Sequence, residues 1–199
     1  YVIQEFNKKE SYLGADKVTS TDMGYIFEEL VRRFSESYNE EAGAHFTSRD
    51  IIYLMTDILL AEDRDLLAGT DVVKTVYDQT MGTSQMLSAM IERIHSFNVD
   101  AEVRTFGQEL NPETYAIAKA DTMIRGGDPD NMALGSTLSN DGFPGYTFDY
   151  CISNPPFGID WKKDKNAVQA EHELGDHGRF GVGLPKISDG QLLFQLNGI

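Results

Sequence analysis

The stretch DVVKTVYDQTMGTSQMLSAMIERIHSFN, residues 71–98, decides the fold. Its first eight residues are rich in β-branched side chains and predict a strand over 71–78. A turn with a single glycine, Gly82, follows. Apolar residues then recur at helical spacing over 83–98, namely Met86, Leu87, Met90, Ile91 and Ile94. The stretch therefore predicts a strand, a tight turn and a helix that packs back on the strand.

The same order of elements continues downstream. AEVRTFGQEL (101–110) predicts a second strand and NPETYAIAKADTMIRGG (111–127) a second helix. That helix has Asn111 as its cap, Pro112 in its first turn and Gly126 as its stop. Two further strands are predicted, a short one around 132–134 and a stronger one in YTFDYCIS (146–153). Alternating strands and helices predict an α/β domain of Rossmann-like type, a parallel sheet covered on both faces.

Helices are predicted before this alternation of strands and helices, and a long loop and a last helix are predicted after it. Residues 21–40 place Met23, Ile26, Phe27, Leu30, Val31 and Phe34 on one helical face, with Thr21 or Asp22 as the cap. Ser48 can cap a following helix that carries Ile51, Ile52, Met55, Ile58 and Leu59. Residues 159–188 predict a long polar loop, and a last helix begins near Asp189.

Composition narrows the class of protein. The chain has 199 residues, 41% hydrophobic and 25% charged, as expected of one globular domain. Its net charge of −15 argues against binding duplex DNA without a partner. The single cysteine, Cys151, excludes an internal disulfide and an all-cysteine metal site, and we expect it to be a small buried residue.

Targeting signals and chain ends give further expectations. No apolar run approaches the roughly 20 residues that span a bilayer, and no basic and then apolar start resembles a signal peptide, so a cytoplasmic location is expected. The chain begins without Met and ends inside an apolar helical pattern. We therefore expect it to be part of a longer protein.

Polar and small residues stand where the first two strands end. Asp78 closes the first strand, and Gly82, Thr83 and Ser84 form the turn into the helix. Ligands of open α/β sheets bind beyond these ends, and small residues let them approach backbone N–H groups. Glu109 closes the second strand, where an acid commonly accepts hydrogen bonds from ribose hydroxyls. Together these residues predict an adenosine-containing cofactor, although a plain turn and a solvated charge would also fit the pattern.

FDYCISNPPFGID, residues 148–160, places Asn154 at the tip of the last strand. The side-chain carbonyl of Asn154 and the backbone carbonyl of Pro155 are two acceptors, and together they can take both protons of an exocyclic amine. The nitrogen lone pair is then free to attack an electrophilic methyl group. Phe157 offers a ring on which an extruded base can stack. A Pro-Pro turn with Asn as a turn former would produce the same residues without this chemistry.

This order of motifs resembles the amino-group methyltransferases that use S-adenosylmethionine. It is more closely similar to the modification (methyltransferase) subunit of type I restriction–modification systems, an N6-adenine DNA methyltransferase family. The resembling segments are MGYIFEELVRRF (23–34), AGAHFTSRDII (42–52), FGQELNPETYAIAKA (106–120), GSTLSNDGF (135–143), FDYCISNPPFGIDW (148–161), RFGVGLP (179–185) and SDGQLLF (188–194). The segment with Phe46 precedes the Asp78 strand, which is the order typical of N6-adenine methylation.

The resemblance implies a role for each motif. It implies S-adenosylmethionine as the cofactor, held by Asp78, Gly82, Thr83, Ser84, Glu109, Ser136 and Asn154, with Phe46, Thr47 and Ser48 closing over it. It implies a catalytic loop of Asn154, Pro155, Pro156 and Phe157 around an extruded adenine. It also implies a helical segment over 1–45 and a methyltransferase domain over 46–199, truncated at its C-terminal end. The implied partners are duplex DNA, a specificity subunit that reads its sequence and in some complexes a restriction subunit.

The sequence departs from the family pattern at four places. Gln79 follows Asp78 where proline is usual, and Ser84 and Gln85 stand where glycine is usual. Ser48 replaces the proline of the family's FTP segment, and Ser136 stands where an acid is frequent. These departures would suit a non-catalytic or weakly active assembly scaffold. Methylation of RNA adenine or protein glutamine, and the chemistry of an ordinary nucleotide-binding oxidoreductase, are also compatible with parts of the pattern.

Two more segments combine residues that could form a site. EHELGDHG (171–178) holds His172, Glu173, Asp176 and His177 without the HExxH spacing, so a solvated loop is favoured over a metal site. DWKKDK (160–165) combines Trp161 with three lysines just after the catalytic loop. It predicts either contact with a DNA backbone or a Trp161 that simply packs.

Overall fold

The computed structural model describes residues 2–14, 16–37 and 47–199. The helices are α1 Val2–Phe6, α2 Ser20–Ser37, α3 Arg49–Leu59, α4 Arg64–Leu67, α5 Gln85–Phe97, α6 Pro112–Ile124, α7 Lys165–His172 and α8 Gln191–Asn197. The strands are β1 Val73–Asp78, β2 Glu102–Glu109, β3 Met132–Leu134 and β4 Tyr150–Cys151. Strands and helices alternate from β1 to β3, as the sequence predicts.

The four strands form one sheet in the order β3-β2-β1-β4, and every neighbouring pair is parallel. The carboxyl ends of all four strands therefore lie at the same edge. Strand β4 is shorter than predicted because the side chain of Asp149 takes the place of a backbone partner. Its carboxylate accepts from the backbone N–H of Thr75 at 2.8 Å and from Nζ of Lys74 at 3.0 Å. This parallel α/β arrangement confirms the Rossmann-like fold.

Helices α5 and α6 pack on one face of the sheet, α3 packs on α5, and α2 packs on α6. The apolar residues of α5 that the sequence places on one helical face supply much of the core. Met90 and Ile94 are fully buried there, with Leu87 at 1% exposure. Val76 of β1 is also fully buried in this cluster. The helix-covered face thus holds the main apolar core.

Aromatic rings cover the opposite face of the sheet. Tyr77 and Phe106 are register partners on β1 and β2, so their side chains project from the same face. Phe148 stacks on Tyr77 with ring centroids 4.7 Å apart, and Phe143 meets both strand residues edge-on at 5.6 and 5.5 Å. The prediction of a sheet covered on both faces is met here by rings from the segment before β4.

The beginnings of α2 and α3 differ from the sequence-based predictions. Thr19, rather than Thr21 or Asp22, caps α2. The backbone N–H of Asp22 donates to Oγ1 of Thr19 at 3.1 Å, and the N–H of Thr19 donates to Asp22 at 3.0 Å. This reciprocal pair is a capping box, in which the acid belongs three residues after the cap. Ser48 occupies the cap position of α3, but its side chain makes no capping hydrogen bond.

The predicted polar loop over 159–188 is wrong for part of its length. Helix α7 lies within it, and Trp161, Val168 and Phe180 are buried with Leu138, Leu193 and Phe194 in a second apolar cluster. Trp161 is 3% exposed and donates from Nε1 to the carbonyl of Lys186 at 2.9 Å. Trp161 therefore packs in the second apolar cluster, and its ring is too buried to contact DNA. In the described part of the chain no helix has the length and hydropathy of a membrane span.

Candidate cofactor and acceptor site at the strand ends

Asp78, the last residue of β1, is a buried carboxylate beneath the candidate site. Asp78 is 1% exposed, and its Oδ1 accepts from the backbone N–H of Thr80 at 3.0 Å. The hydroxyl groups of Thr80 and Ser153 lie 2.7 Å apart. Because Ser153 follows β4 closely, this contact ties the end of β4 to the turn after β1. The tip that carries Asn154 is thereby fixed against the first candidate cofactor loop.

Burial raises the pKa of Asp78 to about 7. Hydrogen bonds from Thr80 and Ser153 oppose this rise, and the nearby charge of Glu109 adds to it. Close to neutral pH the carboxyl group is therefore shared between its neutral and its ionised form. The pKa of the neighbouring Cys151 thiol is also raised, to about 11, by burial and then by Asp78, so Cys151 stays a neutral thiol.

The raised pKa of Asp78 predicts a pH-dependent effect of Asp78→Asn on stability. A group with a raised folded pKa contributes stability that is complete below its unfolded pKa and is lost as the pH rises through about 7. We expect the uncharged asparagine to raise the free energy of unfolding by about 4 kcal/mol at pH 8, since the pKa is raised from 3.8 to about 7 and one pKa unit is about 1.4 kcal/mol. The gain should vanish toward pH 4.

Urea unfolding of both proteins between pH 4 and 8 measures this difference. The exposed residue Asp65 on α4 offers the matched control, Asp65→Asn, for which we expect no such trend. A difference between Asp78→Asn and wild type that stays constant across the pH range would contradict the assignment of the buried charge to Asp78.

Glu109 joins the first two strand ends. Its Oε2 accepts from the backbone N–H of Gly82 at 2.9 Å, and its Oε1 accepts from the backbone N–H of Asn111 at 2.8 Å. Each carboxylate oxygen has a second lone-pair direction, so two further donors can still be accepted. Gly82 has φ +54°, a conformation that favours glycine. The arrangement presents a half-buried carboxylate directly beside the turn after β1.

Ser84 stands where glycine is usual in the resembling family, and its backbone adopts a conformation that favours glycine. It has φ +74°, so the serine adopts the left-handed conformation that glycine would supply more easily. Ser84 is 3% exposed and precedes α5 as its cap residue, and Thr83 before it is half-buried. The cost of a non-glycine residue at such a position is about 1 kcal/mol. The turn after β1 therefore carries a modest backbone strain at Ser84.

Gln79, at the position where proline is usual in the resembling family, ties the first loop to α8. Its side chain is 4% exposed, donates to the carbonyl of Phe194 at 2.8 Å and accepts from Nδ2 of Asn197 at 2.8 Å. Its backbone carbonyl accepts from the hydroxyl of Thr137 at 2.6 Å. Gln79 thus connects the turn after β1 with α8 through its side chain and with the turn after β3 through its backbone carbonyl. Sequence reasoning could not find this role, because each partner is distant in the chain.

A carboxylate lies beside Ser136 at the end of β3. The hydroxyl of Ser136 donates to Oδ1 of Asp164 at 2.8 Å, and Ser139 donates to the same oxygen. No residue in the described ranges hydrogen-bonds to the other oxygen of Asp164. Gly135, one residue earlier, donates its N–H to the carbonyl of Glu109 at 2.9 Å, so this carboxylate belongs to the same edge. Sequence reasoning missed Asp164 because α7, which it precedes, was not predicted.

Arg179 holds the turn after β3 in place. Its guanidinium pairs bidentately with Glu171 and donates from Nη1 to the carbonyl of Thr137 at 2.6 Å and to Oδ1 of Asn197 at 2.7 Å. The hydrogen bonds from Arg179 and its charge hold the pKa of Glu171 below its usual range. The RFGVGLP segment therefore has a positioning role that its sequence alone does not reveal.

The residues of the predicted catalytic loop follow β4, and most of them are exposed. Asn154 is exposed, Pro155 is half-buried, Pro156 is exposed, and Phe157 is 73% exposed. Nδ2 of Asn154 donates to Oγ1 of Thr47 at 3.0 Å, which brings the segment before α3 to this loop. Ser48 is exposed, and Phe46 lies outside the described residues. The open position of Asn154 and Phe157 leaves room for an acceptor group from outside the chain.

The histidines and acids of the 171–178 segment are engaged elsewhere or solvated. His172 closes α7, and its Nδ1 lies 2.8 Å from the carbonyl of Phe180. Glu173, Asp176 and His177 are exposed around a short 3₁₀ turn. Over the part of the chain that the structure describes, no three His, Cys, Asp or Glu side chains are grouped as a metal site requires.

Comparison with known proteins gives a consistent result. The sequence pattern of the N-6 DNA Methylase family matches residues 18–196. The type I restriction enzyme MjaIX methylase subunit of Methanocaldococcus jannaschii is 26% identical over 172 residues, which are 86% of this chain and 28% of that protein. The type I restriction enzyme HindI methylase subunit of Haemophilus influenzae is 25% identical over 185 residues, which are 90% of this chain and 36% of that protein. The chain thus spans about a third of these curated relatives.

Two solved structures are similar in fold. The type I restriction-modification system methyltransferase subunit of Streptococcus thermophilus has a TM-score of 0.60 and 26% identity, covering 77% of this chain and 30% of that one. A Listeria monocytogenes protein assigned to the class I S-adenosylmethionine-dependent methyltransferases has a TM-score of 0.66 and 16% identity. It covers 99% of this chain and 58% of that one, so it supports the fold alone.

Proposed function

Because the chain belongs to the N-6 DNA Methylase family, we propose that it transfers a methyl group from S-adenosylmethionine to N6 of adenine in DNA. The observation that carries the proposal is the convergence at one sheet edge. Glu109 accepts from Gly82, Ser153 meets Thr80 above the buried Asp78, and Asn154 stands next to them. In this proposal the cofactor binds at Glu109 and the turn after β1, and the acceptor amine binds at Asn154 on the same sheet edge.

The donor and acceptor chemistry of the edge fits an adenosine cofactor. Glu109 has lone pairs left for two ribose hydroxyls after it has accepted from two backbone N–H groups. Asp164, oriented by Ser136 and Ser139, offers a carboxylate oxygen to an exocyclic amine. In this proposal Asp164 supplies the acid that Ser136 lacks. Asp78, Gly82, Thr83 and Ser84 shape the turn beneath the cofactor.

Asn154 and Pro155 act on the methyl acceptor. The Asn154 side-chain carbonyl and the Pro155 backbone carbonyl accept the two protons of the adenine amine, which directs the nitrogen lone pair out of the base plane. Pro156 limits the backbone freedom of the loop, and Phe157 supplies a ring face for the extruded base. The cofactor, when bound, supplies a sulfonium methyl group as the electrophile. The contribution of the chain is orientation and charge complementarity, with no covalent enzyme intermediate.

The wider assembly follows from the same proposal. We place the methyltransferase domain over 46–199, after the helical segment predicted over 1–45, of which residues 1, 15 and 38–45 lie outside the described residues. We assign DNA sequence recognition to a separate specificity subunit. A restriction subunit joins in complexes that also cleave DNA. The net charge of −15 agrees with this division, because a chain that bound DNA alone would need a basic surface. The predicted contribution of Phe46, Thr47 and Ser48 to cofactor binding stays a prediction.

Calorimetric titration of S-adenosylmethionine into this chain tests the cofactor assignment directly. We expect saturable binding with one cofactor per chain, and competition by S-adenosylhomocysteine, because both share the adenosine that Glu109 and Asp164 would hold. Absence of binding to a chain shown to be folded by circular dichroism would contradict the proposal and favour an assembly scaffold instead.

A further inference from the structure

We infer that Thr47 is a positioning residue that sets the orientation of the Asn154 side-chain amide, an inference that rests on the proposed function. The two side chains are in direct contact, since Nδ2 of Asn154 donates to Oγ1 of Thr47 at 3.0 Å. They are 107 residues apart in the chain. The contact joins the segment before α3 to the loop after β4. The sequence assigns Thr47 only to a cofactor-closing segment, so this role is a different one.

The amide of an asparagine has two ends of nearly equal shape and opposite hydrogen-bonding character. Asn154 is exposed, and the bond to Thr47 is the one side-chain hydrogen bond of Asn154 within the described ranges. Because that bond engages the NH₂ end, Oδ1 is directed away from Thr47 and is free to accept. In this arrangement the Thr47 hydroxyl is the acceptor for Nδ2, and Oδ1 is the end of the amide that an incoming donor meets.

The proposed chemistry requires this orientation. The adenine amine brings two protons to the site and needs acceptors for them. In the reversed orientation, the NH₂ group of Asn154 would face those protons, and donor would oppose donor. With Oδ1 on the adenine amine, Nδ2 still needs an acceptor, and the Thr47 hydroxyl supplies it. One threonine hydroxyl thus matches the productive orientation of the amide.

Helix α3 holds Thr47 at a defined position. Ile52 is 1% exposed and Thr56 is fully buried, so one side of α3 is sealed against the core. Asp57 forms an ion pair with Arg93 of α5. The hydroxyl of Tyr53 donates to Glu92 of α5 at 3.3 Å. These contacts anchor α3 on α5, and Thr47 lies only two residues before the first residue of this anchored helix.

The variants Thr47→Val and Thr47→Ser test the inference. Valine keeps the shape of threonine without the hydroxyl, whereas serine keeps the hydroxyl. Methyl transfer is measured at saturating S-adenosylmethionine, using the full chain with its specificity subunit on duplex DNA that carries the target site. We expect Thr47→Val to lower kcat about tenfold, the usual effect of one hydrogen bond. Thr47→Ser should stay within about twofold of wild type, because serine keeps the hydroxyl.

Two kinetic results would overturn the inference. One is a Thr47→Val variant with a raised Kd for S-adenosylmethionine and an unchanged kcat, which would make Thr47 a cofactor contact. The other is an equal loss of kcat in Thr47→Val and Thr47→Ser. The side-chain NH₂ resonances of Asn154 give a readout that does not depend on activity. We expect Thr47→Val to shift them to the values of a solvated amide, and Thr47→Ser to leave them in place.

Failure of the proposed function is distinguishable from failure of this inference. If the wild-type complex transfers no methyl group to adenine, the proposed function fails. In that case the NMR comparison of the two variants still decides whether Thr47 orients Asn154. An Asn154 amide whose resonances are the same in Thr47→Val and in wild type would refute the positioning role by itself.

Discussion

Asn154→Ala is expected to lower the rate of methyl transfer by roughly a thousandfold while S-adenosylmethionine still binds. The substitution removes the acceptor that Thr47 orients, so one proton of the adenine amine loses its partner and the lone pair is no longer aimed at the methyl group. The cofactor residues at the ends of β1, β2 and β3 keep their contacts. Single-turnover methyl transfer and calorimetric cofactor binding, measured on the same preparation, separate the two effects.

Asn166 on α7 offers a matched control. It is exposed, and within the described residues its side chain makes no hydrogen bond, so Asn166→Ala should retain the wild-type rate. Near wild-type transfer by Asn154→Ala would remove the catalytic role from the NPPF loop. A loss of cofactor affinity equal to the loss of rate would assign Asn154 to cofactor binding instead.

Glu109→Ala is expected to weaken S-adenosylmethionine binding about a hundredfold. Two ribose hydroxyls lose a charged acceptor, and each such hydrogen bond is worth about 1.5–3 kcal/mol. The N–H group of Gly82 also loses its partner at 2.9 Å, so the turn after β1 is held less firmly. Asp164→Asn should weaken S-adenosylmethionine binding less, about tenfold, because an amide oxygen still accepts one hydrogen bond. Calorimetric titration of each variant measures both effects.

Glu113→Ala is the control for these titrations. Glu113 is exposed in the first turn of α6, four residues after Glu109, and lies outside the proposed cofactor contacts. The Glu113→Ala variant should bind S-adenosylmethionine with the affinity of the wild type. If Glu109→Ala binds the cofactor as tightly as Glu113→Ala does, the carboxylate at the end of β2 has no part in the site.

The elements that the sequence predicts best are those fixed by local pattern. The strand before Asp78, the helix that Asn111 caps and the acid at the end of β2 are all signalled by residues close in the chain. Asn111 indeed accepts from the N–H groups of Glu113 and Thr114 at 2.8 and 3.2 Å. The parallel order then follows from chain topology, which brings these strand ends to one edge.

The features that the sequence did not predict depend on contacts between distant segments. Helix α7 has one buried residue, Val168, so its apolar pattern is too weak to distinguish it from a polar loop. Gln79 and Asp164 acquire their roles only when α8 and α7 reach the strand ends. The same holds for Thr47, whose partner lies 107 residues away. Such long-range hydrogen bonds have no signal in local composition.

The position of the transferred methyl group tests the central claim most directly. Isotope-labelled S-adenosylmethionine is given to the chain assembled with its specificity subunit, with duplex DNA, RNA and glutamine-containing protein offered side by side, and the products are digested for mass spectrometry. The account predicts label in N6-methyldeoxyadenosine from the DNA, and none from an Asn154→Ala preparation. Label at cytosine, in the RNA or on glutamine, or no transfer by a complex that binds the cofactor, would contradict it.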